Sequence, residues 1–176
     1  MSGETYISDA MRQAVGSVLD WRVSFPIATS DIRRWAIAVY YPQPPPRRFL
    51  DPAAAGPAGI TAPEEFNPFA WAVAEQMTPA IAPLLRDPDK LEKAIGILGP
   101  GLPHQINGGT RVRYGAAMHP GDVIRSETRL HEYRERTGRM GRMLITITEV
   151  TWTNQDGQMV KVGQDTAIRY RAGQES

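Results

Sequence analysis

Few side chains in this sequence could carry acid–base or nucleophilic chemistry. The 176 residues include three histidines and no cysteine, which removes disulfides, zinc thiolates and cysteine nucleophiles together. His104 precedes Gln105 and Asn107-Gly-Gly109, where the first long strand is expected to begin. A loop histidine that caps backbone groups is its simplest interpretation. His119 falls in a predicted turn and His131 on a polar strand face, where solvated imidazoles are expected.

Carboxylates and arginines are the other candidates. Glu64 and Glu65 come just before an apolar segment with helical periodicity, and Glu75 lies within it. The helix dipole favours acidic residues near a helix start, so a structural role is the simpler interpretation. Two groups of arginines could meet phosphate oxygens, although solvated turns would explain them equally well. They are Arg134, Arg136, Arg139 and Arg142, and the pair Arg47 and Arg48.

Composition and hydropathy narrow the class of protein. The net charge is +1, which argues against a nucleic-acid-binding surface. No apolar run approaches the roughly 20 residues of a membrane span, and the first ten residues contain no signal-peptide core. A length of 176 residues suits one domain with a sizeable core. We expect a cytoplasmic single-domain protein with no nucleic-acid or membrane partner.

The elements that would position these residues are organised around one apolar segment, residues 62–77. Its apolar side chains follow the i, i+3, i+4, i+7, i+8 spacing of a broad helix face. They are Phe66, Phe69, Ala70, Val73, Ala74 and Met77. Asn67 could cap this helix, and Pro68 could occupy its first position. The sequence therefore predicts a long central helix that is buried on several sides.

Shorter helices are predicted on both sides of the central one. A weak helical pattern runs from Ile7 to Trp21, and a short strand is expected from Val23 to Ala28. A second helix with clear periodicity covers Thr29 to Tyr40. An irregular insertion follows at about 78–104, with a short helix expected at Thr78–Leu85. Such a segment in a compact domain is often a lid or a binding loop.

Alternating apolar and polar residues dominate the sequence after Gly109. Four long segments bounded by turns follow, and Met143–Trp152 is the richest in β-branched residues. They predict an antiparallel meander with the Met143 strand in its centre. The expected class is α+β, with an antiparallel sheet wrapped round the long central helix.

Six short motifs follow one another in an informative order and spacing. They are Tyr40-Tyr41, Arg48-Phe-Leu-Asp-Pro52, Ala62-Pro63, Asn107-Gly-Gly109, Pro120-Gly-Asp122 and Asn154-Gln-Asp-Gly157. Together they resemble the N-terminal, fatty-acid-synthase-like dehydratase branch of the MaoC family. The order of predicted elements likewise resembles the hot-dog fold of that family. The resemblance extends from about Val23 to Tyr170.

The resemblance implies a reaction on acyl thioesters. MaoC-like proteins are (R)-specific hydratases or dehydratases that act on thioesters of coenzyme A or acyl carrier protein. Active members carry an Asp-x-Asn-Pro-x-His-x-Asp signature, in which Asp and His hold a water and act as acid–base partners. Backbone N–H groups near the start of the central helix polarise the thioester carbonyl. No cofactor is implied beyond the coenzyme A or phosphopantetheine that the substrate carries.

This sequence departs from that signature. If Asp51 aligns with its last aspartate, Phe49 and Pro44 occupy its histidine and first aspartate positions. A shift of a residue or two does not restore them, because no Asp, Glu or His lies between Asp31 and Asp51. We therefore expect no catalytic Asp–His pair in this chain. In the family, a degenerate half pairs with a competent half. The resemblance thus implies a second hot-dog subunit with the intact signature, in a heterodimer or heterotetramer.

The expected role is a non-catalytic, substrate-shaping subunit of an (R)-specific enoyl-thioester hydratase or 3-hydroxyacyl-thioester dehydratase. The residues expected to bind the substrate are Ala62, Phe66, His104, Asn107, Gly108, Arg139 and Arg142. Two alternatives stay open. One is a homodimeric hot-dog thioesterase that uses Glu64, Glu65 or Glu75 on the central helix. The other is a non-enzymatic acyl-thioester-binding module that forms a homodimer.

Overall fold

A six-stranded antiparallel sheet organises the fold in the computed structural model, which describes residues 5–77, 87–139 and 141–172. The strands are β1 (Val18–Val23), β2 (Glu75–Gln76), β3 (His104–Tyr114), β4 (Arg125–Gly138), β5 (Gly141–Thr153) and β6 (Met159–Tyr170). Their order across the sheet is β2-β1-β4-β5-β6-β3. The Met143 strand, β5, lies inside the sheet as predicted. Strands β4, β5 and β6 form the meander, whereas β3 pairs with β6 at the edge.

The described residues contain short helices around this sheet. They are α1 (Asp9–Gln13), α2 (Thr29–Tyr40) and α3 (Lys90–Ala94), with 3₁₀ turns at Arg47–Phe49 and Pro52–Ala54. The bounds of α2 match the prediction, and the predicted α+β class is confirmed. The helix expected at Thr78–Leu85 lies outside the described residues. No helix in the described part of the chain has the length and hydropathy of a membrane span.

The N-terminal prediction is correct only for its first turn. Ser8 caps α1 by accepting a hydrogen bond from the Met11 N–H, but the helix does not continue to Trp21. Gly16, at φ 91°, turns the chain, and its N–H donates to the Leu130 carbonyl over 2.7 Å. Only glycine adopts such a φ readily. The following residues therefore pair with β4 as strand β1. The prediction of a strand at 23–28 is wrong, because the strand forms earlier in the chain and ends at Val23.

The predicted central helix at 62–77 does not form. The side chain of Asn67 accepts a hydrogen bond from the Phe69 N–H (3.0 Å), and its carbonyl accepts one from the Ala70 N–H (3.2 Å). The capping residues thus close a single turn. Further on, the N–H groups of Ala74 and Met77 donate to carbonyls of β1 over 2.8 and 2.9 Å. These bonds to a sheet edge replace the intrahelical ones, and residues 75–76 become β2.

Two side chains of the predicted helix face, Phe66 and Phe69, are nevertheless buried in the core, whereas Ala70 and Ala74 of that face are exposed. Phe66 is 1% exposed and Phe69 is 9% exposed. Phe66 packs edge-on against Trp35 of α2, with ring centroids 5.7 Å apart, and Phe69 packs against Trp152 of β5 at 5.3 Å. By contrast, Trp71 is 60% exposed. The segment is therefore an irregular chain anchored by two aromatic rings, and its burial does not require helical structure.

One face of the sheet, here called the inner face, carries both hydrophobic clusters. At one end, α2 and the segment 60–73 cover Trp152. At the other end, α1 and the region around α3 cover Leu130, Tyr133 and Leu144. Residues 144, 146, 148, 150 and 152 of β5 alternate onto this face. The middle of the inner face, between the two clusters, is where the site described next lies.

Candidate functional site

An open groove lies on the inner face between α3 and strands β3, β5 and β6. Its volume is about 340 Å³, within the range of small-molecule sites. Its walls mix hydroxyl, amide and charged groups with apolar ones. They include Lys90, Leu91, Asn107, Thr146, Asp165 and Arg169.

A bulge in β3 brings Asn107 into the groove. The register between β3 and β6 shifts between Asn107 and Gly109, and Gly109 has φ 111°. The Asn107 side chain accepts a hydrogen bond from the Gly109 N–H over 2.8 Å, which stabilises the bulge. Gly108 lies against Thr166 on the opposite, outer face. Of the residues predicted at the substrate, Asn107 is the one that lines the groove.

Gly108→Ala is expected to lower the free energy of unfolding by about 1–3 kcal/mol, because it overpacks the bulge. A Cβ atom at this position would lie 2.8 Å from Thr166 Cγ2 and 3.0 Å from Ile168 Cγ1. Urea unfolding followed by circular dichroism measures the change. Val112→Ala, on the exposed part of the same strand, is the matched control and should change stability less. Equal stability of Gly108→Ala and wild type would contradict the close packing.

A buried polar network closes the end of the groove beneath α3. The Arg169 guanidinium donates to both carboxylate oxygens of Glu92 (2.7 and 2.8 Å), to Asp89 Oδ1 (3.0 Å) and to Thr146 Oγ1 (2.9 Å). The Tyr133 hydroxyl donates to Glu92 Oε1 over 2.5 Å. Arg169 is 2% exposed and Glu92 is 0% exposed. The network therefore ties α3 to β4, β5 and β6.

The pKa shifts in this network follow from burial and pairing. Burial raises the pKa of the Tyr133 hydroxyl, and its hydrogen bond to the Glu92 carboxylate raises it further. Burial alone would lower the pKa of Arg169, but hydrogen bonds to Glu92 and the charges of Glu92 and Asp89 raise it overall. Arg169 stays charged and Tyr133 stays neutral over the working pH range. Arg169 was not among the predicted site residues, because in the sequence it resembles an ordinary polar strand residue between Ile168 and Tyr170.

Of the other predicted substrate-binding residues, His104 lines a neighbouring hollow that shares Lys90 and Gln105 with the groove, and the rest lie away from it. Ala62 is buried, and its N–H donates to the Met118 carbonyl over 2.8 Å, so it presents no free donor of a helix start. His104 is exposed on β3 and stacks on Tyr170. Arg139 is exposed at the β4–β5 hairpin, and the Arg142 guanidinium lies 5.8 Å from the centroid of the Tyr6 ring. Phe66 is a core residue, as described above.

The three carboxylates proposed for hydrolysis do not lie on a helix. Glu64 and Glu65 are exposed in the turn in which the Phe66 N–H donates to the Pro63 carbonyl. Burial raises the pKa of the Tyr114 hydroxyl, and the charges of Glu65 and Glu64 raise it further, so the three groups are close. Glu75 is exposed on β2. The expectation of a carboxylate on a central helix is therefore wrong.

The segment aligned with the catalytic signature forms a structural turn. Phe49 is 4% exposed, and the Arg48 guanidinium lies 4.7 Å from the centroid of its ring. Asp51 accepts hydrogen bonds from the Ala53 N–H and from Arg47, both over 2.9 Å. The backbone hydrogen bond is the main cause that lowers the pKa of this carboxyl, and Arg47 adds to it. Asp51 thus serves as the cap of the Pro52–Ala54 turn.

Comparison with known proteins identifies the fold. The family model of the FAS1-like, dehydratase domain region matches residues 13–162. No curated protein matches the chain. Solved structures do, the three described below at 18–20% identity, and they confirm the predicted hot-dog fold.

Three of these structures illustrate the match. The ChsH1-ChsH2 complex from Mycobacterium tuberculosis is 18% identical with a TM-score of 0.61, covering 87% of this chain and 88% of that one. A MaoC-like dehydratase from Rhodospirillum rubrum is 18% identical with a TM-score of 0.53, covering 91% and 94%. The HadBC (3R-hydroxyacyl-ACP dehydratase) complex from Mycobacterium tuberculosis is 20% identical with a TM-score of 0.51, covering 86% and 95%.

Proposed function

Because the chain belongs to the family of FAS1-like dehydratase regions, with MaoC-like hot-dog dehydratases as structural neighbours, we propose that it is a substrate-shaping subunit. The proposed enzyme is a heteromeric (R)-specific enoyl-CoA or enoyl-ACP hydratase, equivalently a 3-hydroxyacyl-thioester dehydratase. This chain would supply part of the acyl pocket. A second hot-dog subunit would supply the catalytic aspartate and histidine.

One observation carries the proposal: the segment between Asp31 and Asp51 contains no Asp, Glu or His. Adding water across an enoyl double bond requires a base to activate the water and an acid to protonate the adjacent carbon. In the family, the signature of this segment provides that pair. Here Phe49 packs into the core, and Asp51 is engaged as a cap with Arg47. Neither side chain is arranged to exchange protons with a substrate.

The surface of the chain supports a partner subunit. Strand β3 forms an exposed edge of 11 residues, and unpaired edges are templates for another strand. Helix α2 also exposes apolar side chains, with Ile37 at 52% and Val39 at 51%. Two structural neighbours, ChsH1-ChsH2 and HadBC, are themselves complexes of two different chains. A second hot-dog subunit that pairs with β3 would bury this edge.

The groove supports a role in substrate shaping. Its volume of about 340 Å³ is that of a small ligand site, and the substrate would bring its own coenzyme A or phosphopantetheine. In the described residues, no cluster of three His, Asp or Glu side chains could hold a metal ion. The acyl part of the substrate would enter along Thr146 and Thr148, and the thioester would face the partner.

The test is reconstitution with a hot-dog protein that carries the intact Asp…His signature, beginning with any that is encoded beside this chain. The two chains are purified separately and together, and hydration of enoyl-CoA is followed by the loss of enoyl absorbance. We expect no turnover from this chain alone and full turnover from the complex. Full hydratase activity of the lone chain would overturn the proposal. Saturable binding of acyl-CoA without turnover in any mixture would favour the non-enzymatic binding module.

Substrate shaping is tested by filling the groove in the active complex. Thr148→Phe places a ring inside it, whereas Thr151→Phe places the same ring on the opposite face of β5 and is the matched control. We expect Thr148→Phe to raise KM for long acyl chains by roughly tenfold, with little change for a short chain. Equal effects of both variants on every chain length would show that the groove does not receive the acyl group.

The thioesterase alternative has less structural support. It required a carboxylate on the central helix, and the residues proposed for that role lie in an exposed turn and on an edge strand. An exposed carboxylate is solvated, which makes it a weak base for activating one bound water. Acyl-CoA hydrolysis by the purified chain, lost in Glu64→Gln, Glu65→Gln or Glu75→Gln, would revive it.

A further inference from the structure

The exposed edge strand β3 is divided into two different parts by its bulge. The register shift between Asn107 and Gly109 interrupts the first part. The second part, Thr110–Tyr114, pairs residue by residue with β6, from Thr110 opposite Asp165 to Tyr114 opposite Lys161. This run, here called the regular edge, is the portion whose geometry suits continuous pairing with another strand. Val112 is its middle residue and is 39% exposed.

The regular edge carries two arginines on one face and no acid. Arg111 lies opposite Gln164 and Arg113 lies opposite Val162, so both point to the outer face with neutral neighbours on β6. Neither arginine forms an ion pair or a side-chain hydrogen bond with a described residue. The acid nearest in register, Asp165, lies on the inner face, where its carboxylate accepts a hydrogen bond from Thr110 over 2.6 Å.

Acids elsewhere on the outer face form no ion pair with these arginines. Glu149 on β5 lies across β6 from β3, and Glu132 on β4 lies across β5 and β6, on the same outer-face concavity as Arg111. Glu149 also accepts a hydrogen bond from Gln164 over 2.8 Å. The two guanidinium groups therefore lie at the open edge of the sheet, and neither is held in an ion pair with a described residue.

This charge pattern disfavours pairing between two copies of the chain. Two regular edges that pair antiparallel about a two-fold axis at Val112 place Arg111 opposite Arg113 of the copy, and Arg113 opposite Arg111. Directly opposed side chains in an antiparallel pair have Cβ atoms about 4.5–5.5 Å apart, and like charges there are destabilising. Four arginines would then meet on one face. A strand with Asp or Glu two residues apart would form two opposite-charge pairs in the same register.

We propose that the regular edge of β3 is a recognition strand that rejects a second copy of this chain and binds an acidic edge strand of a different chain. The identity of that different chain as the catalytic subunit rests on the proposed function. It adds the chemistry by which the subunit is recognised: two carboxylates, spaced two residues apart, on an edge strand that pairs antiparallel to β3. The choice between homodimer and heteromer then follows from Arg111 and Arg113.

A mixing experiment tests this proposal with the chain itself as the probe. The R111E/R113E variant presents an acidic edge of otherwise identical sequence. Sedimentation velocity at low salt is run on wild type, on the variant and on their equimolar mixture. We expect each alone to be monomeric and the mixture to form a heterodimer. Salt at about 1 M, where the screening length is roughly 3 Å, should dissociate it.

The matched control moves the same charge change elsewhere. Arg136 lies on the far part of β4 and Arg139 in the turn that follows, and both are exposed. The R136E/R139E variant alters the net charge equally and should not form a heterodimer with wild type. If it does so as well as R111E/R113E, general charge attraction explains the association and the recognition role of β3 is wrong.

A neutral variant provides an independent measurement. R111Q/R113Q removes the repulsion without adding attraction and should self-associate roughly tenfold more tightly than wild type, given the size of cross-strand charge effects. If wild type forms a homodimer in which hydrogen exchange protects residues 110–114, the proposal is overturned. If no variant or mixture associates, the arginines only protect the edge from aggregation, and the proposal again fails.

The two proposals can fail separately. The mixing experiment measures association and needs no substrate, whereas reconstitution measures turnover. An active complex whose formation is insensitive to R111E/R113E would leave the proposed function standing and remove this inference. Charge-selective pairing without hydratase activity in any complex would support this inference and contradict the proposed function.

Discussion

Arg169→Ala is expected to lower the free energy of unfolding by about 3–5 kcal/mol, among the largest losses available to a single substitution in this chain. The substitution leaves the Glu92 carboxylate, which is 0% exposed, without its guanidinium partner. Removing one member of a buried ion pair costs more than the pair contributes, because the remaining charge stays desolvated. Asp89 and Thr146 lose a donor as well.

The loss should also be visible locally, at α3. The network joins α3 to the sheet through Glu92, so its removal should speed hydrogen exchange of residues 90–94 before global unfolding occurs. Because α3 forms one wall of the groove, acyl-CoA binding by the complex should weaken too. Urea unfolding and hydrogen exchange measure the two effects.

Arg171→Ala is the matched control for this prediction. Arg171 lies two residues further along and is exposed, with one hydrogen bond of 3.2 Å to the Gly101 carbonyl. Its replacement should change stability by about 0.5 kcal/mol or less. A loss below about 1 kcal/mol for Arg169→Ala would mean that water reaches Glu92 and that the network is not sealed from solvent.

Phe66→Ala is expected to cost about 3–5 kcal/mol, because it empties a core position filled by an aromatic ring. Phe66 is 1% exposed and packs against Trp35. It is also one of the two rings that hold the irregular segment 60–73 on the sheet. Without it, this segment should detach from α2, which would enlarge the cavity beyond the volume of the deleted ring.

Trp71→Ala separates the observed loop from the predicted helix. On a central helix, Trp71 would widen the buried face, and its replacement would cost about as much as that of Phe66. In the structure it is 60% exposed and touches Trp35 at 6.4 Å between ring centroids. We expect a loss of about 1 kcal/mol, typical of one aromatic contact. Equal losses of stability for Phe66→Ala and Trp71→Ala would contradict the irregular loop and favour the predicted helix.

Local patterns predicted those elements whose neighbours reinforce them. Helix α2 follows from the spacing of Ile32 and Trp35, which belong to one core cluster, and of Ala36, which is buried. Strands β4, β5 and β6 follow from alternation between tight turns, and each long strand then pairs with the next along the chain. In both cases the local preference and the tertiary contacts favour the same conformation.

The segment 62–77 shows where that agreement ends. Its apolar spacing fits a helix, but of that face the irregular chain buries only Phe66 and Phe69 and leaves Ala70 and Ala74 exposed. The free edge of β1 supplied hydrogen-bond partners for Ala74 and Met77. That edge is more than 50 residues away along the chain, and no window of local sequence contains it. The thioesterase hypothesis required a carboxylate on this helix, and it lost support because the helix does not form.

The sequence by itself determined the fold class, the strands of the meander, helix α2 and the lack of acid–base residues between Asp31 and Asp51. Each is a property of composition or of spacing within one segment. Only the tertiary structure decided the groove and the network beneath it, since Arg169 and Glu92 are 77 residues apart. It also decided that Arg111 and Arg113 lie on one face of an open edge. Such juxtapositions arise from strand pairing across the sheet, and a local periodicity cannot encode which distant residue completes a pair.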